Sequence, residues 1–140
     1  MERQKVKSEL VLFACVHNAG RSQMTAAFFN QLADPRKVRA ISAGTSPGSH
    51  VHPEVVATMR EVGLDLEHAQ PQRLTPELAS SARHLITMGC GDECPFVPGA
   101  ETDDWPIEDP KGKPVERVRE IRDELRARVE ALIRRHGWGR

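Results

Sequence analysis

The stretch 10-LVLFACVHNAGRS-22 decides how this chain folds and where its chemistry lies. The apolar run at its start predicts a buried strand over Glu9–Ala14, and the helical spacing of apolar residues after it predicts a helix over Arg21–Ala33. A tight loop joins the two elements. Such a strand–loop–helix junction directs backbone N–H groups and the helix N-terminus toward one point, which is the geometry of an anion site.

Eight consecutive residues form the predicted cradle for a tetrahedral oxyanion: Cys15, Val16, His17, Asn18, Ala19, Gly20, Arg21 and Ser22. The planar guanidinium of Arg21 can hold two oxygens of the anion. Cys15 lies at the base as a nucleophile, because the positive field favours its thiolate. Ser22 can donate a hydrogen bond to that thiolate. The simpler alternatives are a buried structural cysteine at position 15 and a Ser22 that only starts the helix. A histidine at position 17 can act as a general base, but we favour a His17 side chain that points away from the cradle.

Length and charge limit the classes of partner. The chain has 140 residues, 20 of them basic and 20 acidic, and its formal net charge is zero. No global field attracts nucleic acid or an anionic membrane, so anion selectivity is local. No apolar run reaches transmembrane length, and Met1–Glu9 lacks the apolar core of a signal peptide. We therefore expect a single domain over residues 1–140, located in the cytoplasm.

Further elements alternate along the chain. Strands are predicted over 38–43 and 83–88, and helices over 53–62, 74–81 and 114–136, the last with Val115 on its apolar face. A long loop is predicted over 89–104, and Trp105 is predicted to begin a short edge strand. This alternation indicates an α/β fold whose parallel sheet carries helices on both faces. Ligands bind such sheets at the carboxyl ends of the strands, where the cradle and two further loops meet.

An acidic turn, 103-DDWPIEDP-110, follows in the second half of the chain. A thiolate that attacks an oxyanion needs an acid to protonate the leaving oxygen. Asp109 is our candidate for that acid, with Asp103 and Asp104 as substitutes. Aspartate before proline is also common in solvated turns, and spacing alone favours that simpler interpretation. The cradle makes the catalytic role of Asp109 the preferred one.

The remaining cysteines are Cys90 and Cys94, in 88-MGCGDECP-95. Three cysteines argue against a disulfide framework. Cys90 can attack an adduct on Cys15, after which Cys94 attacks Cys90, because thiol exchange needs only access and in-line approach. The alternatives are small core cysteines or half of a zinc site, although no further Cys/His pair completes such a site. We predict no metal, and spacing alone leaves redox and structural roles equally open.

Taken together, these motifs resemble the arsenate reductases built on the low-molecular-weight tyrosine phosphatase fold. The resemblance covers nearly the whole chain: the Cys15 loop with Gln23-Met24, Ser42-Ala43-Gly44, Ile86 to Pro95, and Asp104-Trp105 to Asp109-Pro110. It implies a three-layer fold with a four-stranded parallel sheet in the order 2-1-3-4. It also implies that Cys15 attacks arsenate, that Arg21 and the loop amides hold the anion, that Ser22 stabilises the thiolate, and that Asp109 is the general acid.

The same resemblance implies a second thiol and an external reductant, with no tightly bound cofactor. Thioredoxin-coupled members use two cysteines after the third strand, usually farther apart than Cys90 and Cys94. The short spacing here is more similar to a branch that uses the low-molecular-weight thiol mycothiol and a glutaredoxin-like redoxin. Some members bind potassium through a first-helix glutamate, but Ala26 occupies that position. Phosphate and sulfate are expected to compete with arsenate. The alternatives are a phosphotyrosine phosphatase, disfavoured by the absence of tyrosine, and a sensor that only binds the anion.

Overall fold

The computed structural model describes residues 9–89 and 99–140, and these residues contain one four-stranded parallel sheet. The elements in chain order are β1 (Glu9–Cys15), α1 (Arg21–Leu32), β2 (Val38–Gly44), α2 (Pro53–Arg60), α3 (Pro76–Ser80), β3 (His84–Thr87), β4 (Glu101–Asp104) and α4 (Val115–His136). The sheet has the order β2-β1-β3-β4, so the expected order 2-1-3-4 is confirmed.

Strand β1 is central, and its last five residues, Val11–Cys15, are buried. It pairs with β2 as far as Cys15 and Gly44, and with β3 as far as Ala14 and Thr87. Both neighbours are parallel to β1, so all three strands end at the same edge of the sheet. The loop after β1 therefore lies beside the residues that follow β3.

Side chains of β1 alternate between two cores, as the pleat requires. Val11 and Phe13 pack with residues of α1, α2 and α4, and the Phe13 ring meets the Phe29 ring edge-on at 5.7 Å. Leu12 and Ala14 pack on the opposite face in a smaller cluster that includes Ala79 of α3. The predicted three layers are confirmed, but the layer on the α3 side is thin.

The edge strand differs from the prediction. It is β4, over Glu101–Asp104, and the prediction that Trp105 begins an edge strand is wrong. All four β4 residues are exposed, whereas Trp105 is buried and its ring centroid lies 5.8 Å from that of Phe13. An exposed, acidic edge strand has no alternation of apolar and polar residues, which explains why the sequence there indicates only a loop.

The start of the last helix differs from its prediction. Val115, predicted on the buried face of the last helix, is 42% exposed because it is the first residue of α4. Cys90 and Cys94 lie outside the described residues. Within residues 9–89 and 99–140, no helix combines the length and the apolar character that a membrane span requires.

Candidate active site

The loop between β1 and α1 is fastened from one side by its carbonyl groups. Those of Cys15, Val16, His17 and Ala19 accept hydrogen bonds of 2.8–3.2 Å from N–H groups of the segment 45–52. In a trans peptide the next N–H points away from the carbonyl, so the following amides face the opposite side of the loop. None of the N–H groups of residues 16–20 donates to another described residue. The loop therefore presents N–H donors that no other described residue occupies, as an oxyanion cradle requires.

A buried hydrogen-bond network supports the nucleophile position. The Oγ of Ser22 lies 2.9 Å from the Sγ of Cys15, and the Nδ2 of Asn18 donates to the same Oγ at 2.7 Å. Cys15 is 2% exposed, and neither Ser22 nor Asn18 is exposed at all. Asn18 has φ of +51°, in the left-handed region that asparagine tolerates better than most residues.

Backbone chemistry fixes the orientation of the Asn18 amide in this network. The N–H of Gln72 can only donate, and it meets the Oδ1 of Asn18 at 2.9 Å. The other end of the Asn18 amide is therefore its NH₂ group, which can only donate to Ser22. The Ser22 oxygen has a second lone pair, so the Cys15–Ser22 bond can run in either direction while Cys15 is a thiol; once Cys15 is a thiolate it has no hydrogen, and the Ser22 hydroxyl is the donor. A hydrogen bond donated to sulfur stabilises the thiolate.

Arg21 joins the cradle to the acidic turn. Its Nη1 donates to the carbonyl oxygen of Ile107 at 3.0 Å, and its Nη2 lies 3.7 Å from the Oδ2 of Asp109. Arg21 is buried, whereas the Asp109 side chain is 40% exposed. A Cβ at Gly20 would lie 3.0 Å from the Cγ of Pro110, so the turn also packs directly on the loop. The predicted clamp and the predicted acid are thus neighbours.

The acidic turn is also tied to α4. Glu108 accepts a hydrogen bond of 2.8 Å from the Nε of Arg117 and forms an ion pair of 3.0 Å with Lys113. Hydrogen bonds from Arg117 and Lys113 lower the pKa of Glu108. The N–H of Lys111 donates to the Oδ1 of Asp109 at 3.0 Å, which leaves Oδ2 facing Arg21. These contacts hold the Asp109 carboxylate at the mouth of the cradle.

The structure does not bring Asp103 and Asp104, the substitute acids, into contact with Arg21. Asp103 and Asp104 lie on the exposed edge strand, where Asp104 accepts a hydrogen bond of 2.6 Å from Thr87, and neither side chain contacts Arg21. His17 is half-buried, and its imidazole hydrogen-bonds to no other described residue, so its orientation away from the anion stays a prediction. Within the described part of the chain, no group of three or more His, Cys, Asp or Glu side chains is arranged to hold a metal.

Sequence reasoning missed two glutamines. The Nε2 of Gln23 lies 3.2 Å from both the Oδ1 and the carbonyl oxygen of Asn18, and 3.3 Å from the carbonyl oxygen of Gln70. Gln72 contributes its backbone N–H, and its side chain donates to the carbonyl of Ser42 at 2.9 Å. We call the residues Cys15, Ser22, Asn18, Gln23 and Gln72 the Asn18 network. A glutamine just after the cradle serine was the available signal for Gln23, whereas a backbone donor such as that of Gln72 leaves no trace in sequence.

The chain is similar to known proteins over most of its length. The family profile described as low molecular weight phosphotyrosine protein phosphatase matches residues 10–136. A Halobacterium salinarum protein is 40% identical over 86% of this chain and 88% of its own. The glutaredoxin arsenate reductase of Synechocystis is 35% identical over 88% of this chain and 95% of its own.

A solved structure of a thioredoxin-dependent arsenate reductase from Corynebacterium glutamicum has a TM-score of 0.79 and 38% identity to this chain. The match covers 91% of this chain but only 61% of that one. The profile match spans nearly all of the fold described above and contains both the Cys15 loop and the Asp109 turn. The chain belongs to the low molecular weight phosphotyrosine protein phosphatase family.

Proposed function

We propose that this protein reduces arsenate to arsenite, with Cys15 as the nucleophile. The observation that carries the proposal is the packing of Gly89 on Arg21: a Cβ built on Gly89 would lie 2.6 Å from the Nη1 of Arg21. Gly89 immediately precedes Cys90 in the sequence, so the segment that bears the second thiol begins at the anion clamp. The arsenate reductases among the relatives support the same choice of substrate.

The first step is binding of the oxyanion and attack by sulfur. Arg21 and the free N–H groups of the loop hold the arsenate oxygens, and the Cys15 thiolate attacks arsenic. Asp109 protonates the leaving oxygen, which departs as water. The product is a covalent Cys15–arsenate thioester in which arsenic is still pentavalent. Phosphate and sulfate have similar shape and charge, so they compete for the cradle.

The second step reduces arsenic. The Cys90 thiolate attacks the sulfur of Cys15 and forms a disulfide, and the electron pair of the sulfur–arsenic bond passes to arsenic, which leaves as arsenite. Cys94 then attacks Cys90, so that a Cys90–Cys94 disulfide forms and the Cys15 thiolate is regenerated. An external dithiol of the thioredoxin or glutaredoxin class reduces that disulfide. Because reduced thiols start each cycle, the cytoplasm is the expected compartment.

A phosphatase is the second candidate, because the family profile carries that description and the first step is shared. Water instead of a thiol would then cleave the Cys15 adduct. The two candidates differ in their need for Cys90, so the test compares Cys15→Ser and Cys90→Ser in two assays. One assay measures thioredoxin-dependent arsenate reduction, and the other measures hydrolysis of p-nitrophenyl phosphate.

We expect Cys15→Ser to abolish both activities, and Cys90→Ser to abolish arsenate reduction while any hydrolysis of p-nitrophenyl phosphate persists. Cys94→Ser is the matched control, since it should still allow one turnover of arsenate but block the next. Arsenate reduction by Cys15→Ser at the wild-type rate would refute the enzyme proposal. Reduction by Cys90→Ser that depends only on added low-molecular-weight thiol would replace the internal relay with the mycothiol-type route.

A further inference from the structure

We infer that Gly89 is a positioning residue for the anion clamp: its missing side chain leaves the space in which the Arg21 guanidinium lies. The inference rests on the proposed function, because it assumes that Arg21 binds the substrate anion. A Cβ built on Gly89 would lie 2.6 Å from Nη1, 3.6 Å from Cζ and 4.0 Å from Nη2 of Arg21. The first of these distances is far shorter than van der Waals contact.

The backbone that leads into Gly89 has little freedom to move away from Arg21. The N–H of Met88 donates to the carbonyl of Ala14 on the central strand at 2.8 Å, which fixes the end of β3 against β1. The Met88 sulfur also lies 3.5 Å from the Oγ1 of Thr25 in α1. Met88 itself is fully buried. A side chain at position 89 must therefore displace Arg21 rather than the strand.

Arg21 is restrained on another side as well. Its Nη1, the atom nearest to Gly89, donates to the carbonyl oxygen of Ile107 at 3.0 Å. The carbonyl of Arg21 accepts a hydrogen bond of 2.7 Å from Thr25, which fixes the backbone. The guanidinium thus lies in a slot between Gly89 and Ile107. Moving it breaks the contact with Ile107 and turns the planar fork away from the cradle, so two-point binding of oxyanion oxygens is lost.

Glycine is required here for two separable reasons. Gly89 has φ of +83°, a conformation that strains any residue with a side chain, and it also has the close contact with Arg21. Gly63, which follows α2, has nearly the same φ of +85°, but a Cβ there would meet nothing within 4 Å. Gly63→Ala therefore reproduces the backbone strain of Gly89→Ala without the collision.

The experiment compares these two variants in three measurements: the KM for arsenate, the protection of Cys15 from iodoacetamide by phosphate, and the midpoint of urea unfolding. We expect Gly89→Ala to raise the KM and the half-protecting phosphate concentration about tenfold or more, the effect of losing one charged hydrogen bond. Gly63→Ala should leave both unchanged. Alkylation of Cys15 without phosphate should keep the wild-type rate in Gly63→Ala and should slow in Gly89→Ala by less than the loss of phosphate protection, because the positive charge moves but the Asn18 network is untouched.

A double-variant cycle with Arg21→Ala tests whether the effect acts through the guanidinium. In the Arg21→Ala background, Gly89→Ala should weaken phosphate protection no further. Should Gly89→Ala alone fail to fold, adding Arg21→Ala should restore an unfolding midpoint like that of Gly63→Ala. Failure of that rescue, or equal KM values for Gly89→Ala and Gly63→Ala, would each overturn the inference.

The outcomes also distinguish this inference from the proposed function. Arsenate reduction by Cys15→Ser, or undiminished phosphate protection in Arg21→Ala, would refute the proposed chemistry itself. A normal KM in Gly89→Ala, with Cys15 and Arg21 both still essential, would refute only the role of Gly89.

Discussion

Two hydrogen-bond networks in this molecule differ in burial and in charge. The Asn18 network lies beneath the Cys15 loop and contains only neutral donors besides the cysteine. The second, which we call the Glu61 network, consists of Glu61 after α2 together with Arg119 and Arg122 of α4. Its arginines donate to Glu61 at 2.8–3.0 Å, and the Glu61 side chain is 39% exposed.

The difference shows what each network can do. In the Asn18 network the amide of Asn18 can only donate to Ser22, and a Cys15 thiolate can only accept from Ser22, so the network determines which atom donates to a deprotonated Cys15. Water can reach the exposed Glu61 carboxylate and replace its bonds to Arg119, and exposed pairs of this kind contribute little and are weakened by salt, whereas Arg122 is buried and also donates to the Thr58 carbonyl. We therefore expect changes in the first network to alter reactivity, and changes in the second to alter only stability and its pH dependence.

The largest effect is expected for Asn18→Asp, which keeps the size of the side chain but replaces its donor with an acceptor. The new carboxylate takes the Ser22 proton away from Cys15 and also adds a like charge near the thiolate. Alkylation of Cys15 by iodoacetamide at neutral pH should slow about a hundredfold, from the combined loss of the hydrogen bond and the added repulsion. A wild-type rate in a folded variant would mean that the direction assigned to the network is wrong.

Ser22→Ala should have a smaller effect on the same measurement. It removes the hydrogen bond to Cys15 without adding charge, so alkylation and arsenate turnover should slow about tenfold. For alkylation, Thr25→Val is the matched control, because Thr25 is equally buried on the same helix but donates to the Arg21 carbonyl instead of the sulfur of Cys15. Equal slowing in both variants would show that general loosening of α1, rather than the bond to sulfur, controls reactivity.

The smallest effect on activity is expected for Glu61→Gln, which should leave alkylation and turnover unchanged. Hydrogen bonds from Arg119 and Arg122 lower the pKa of Glu61 from 4.5 to about 2. Because the folded-state pKa is below the ordinary one, the stabilisation is present above about pH 4.5 and is lost as the pH falls toward 2.

The measurement for Glu61 is the midpoint of urea unfolding between pH 7 and pH 3. Wild type should exceed Glu61→Gln at pH 7, and the gap should shrink below about pH 4.5. Glu130→Gln is the control, since Glu130 has a single ion pair of 3.4 Å with Arg126 on its own helix. A gap for Glu61→Gln that is independent of pH would contradict the role given to its charge.

The sequence predicts the centre of the fold better than its edge. The apolar run before Cys15 identifies β1, and the alternation of strands and helices identifies the parallel sheet, because burial there leaves a strong pattern. Strand β4 has no such pattern, since Glu101, Thr102, Asp103 and Asp104 are all exposed and are ordered by pairing with β3. Local residue types cannot reveal an element that is held mainly by its neighbour.

The candidate site shows the same division. Spacing within one loop is enough to predict that Cys15, Arg21 and Ser22 act together, and the structure places Ser22 against the Cys15 sulfur. The contact of Asn18 with Gln72 spans 54 positions and uses a backbone N–H, so no pattern of side chains in the sequence predicts it. The space that Gly89 leaves for Arg21 is likewise the absence of a side chain, recognisable only when β1 and β3 are placed side by side.

The most direct test of the central claim, that Cys15 forms the arsenic adduct and that a second thiol reduces it, is one turnover without external thiol. Fully reduced protein is mixed with arsenate, quenched, alkylated and mapped by mass spectrometry while arsenite is measured. The account predicts one equivalent of arsenite, a Cys90–Cys94 disulfide and a free Cys15. If all three cysteines were alkylated as free thiols and no arsenite had formed, arsenate would only have bound, and the account would be contradicted.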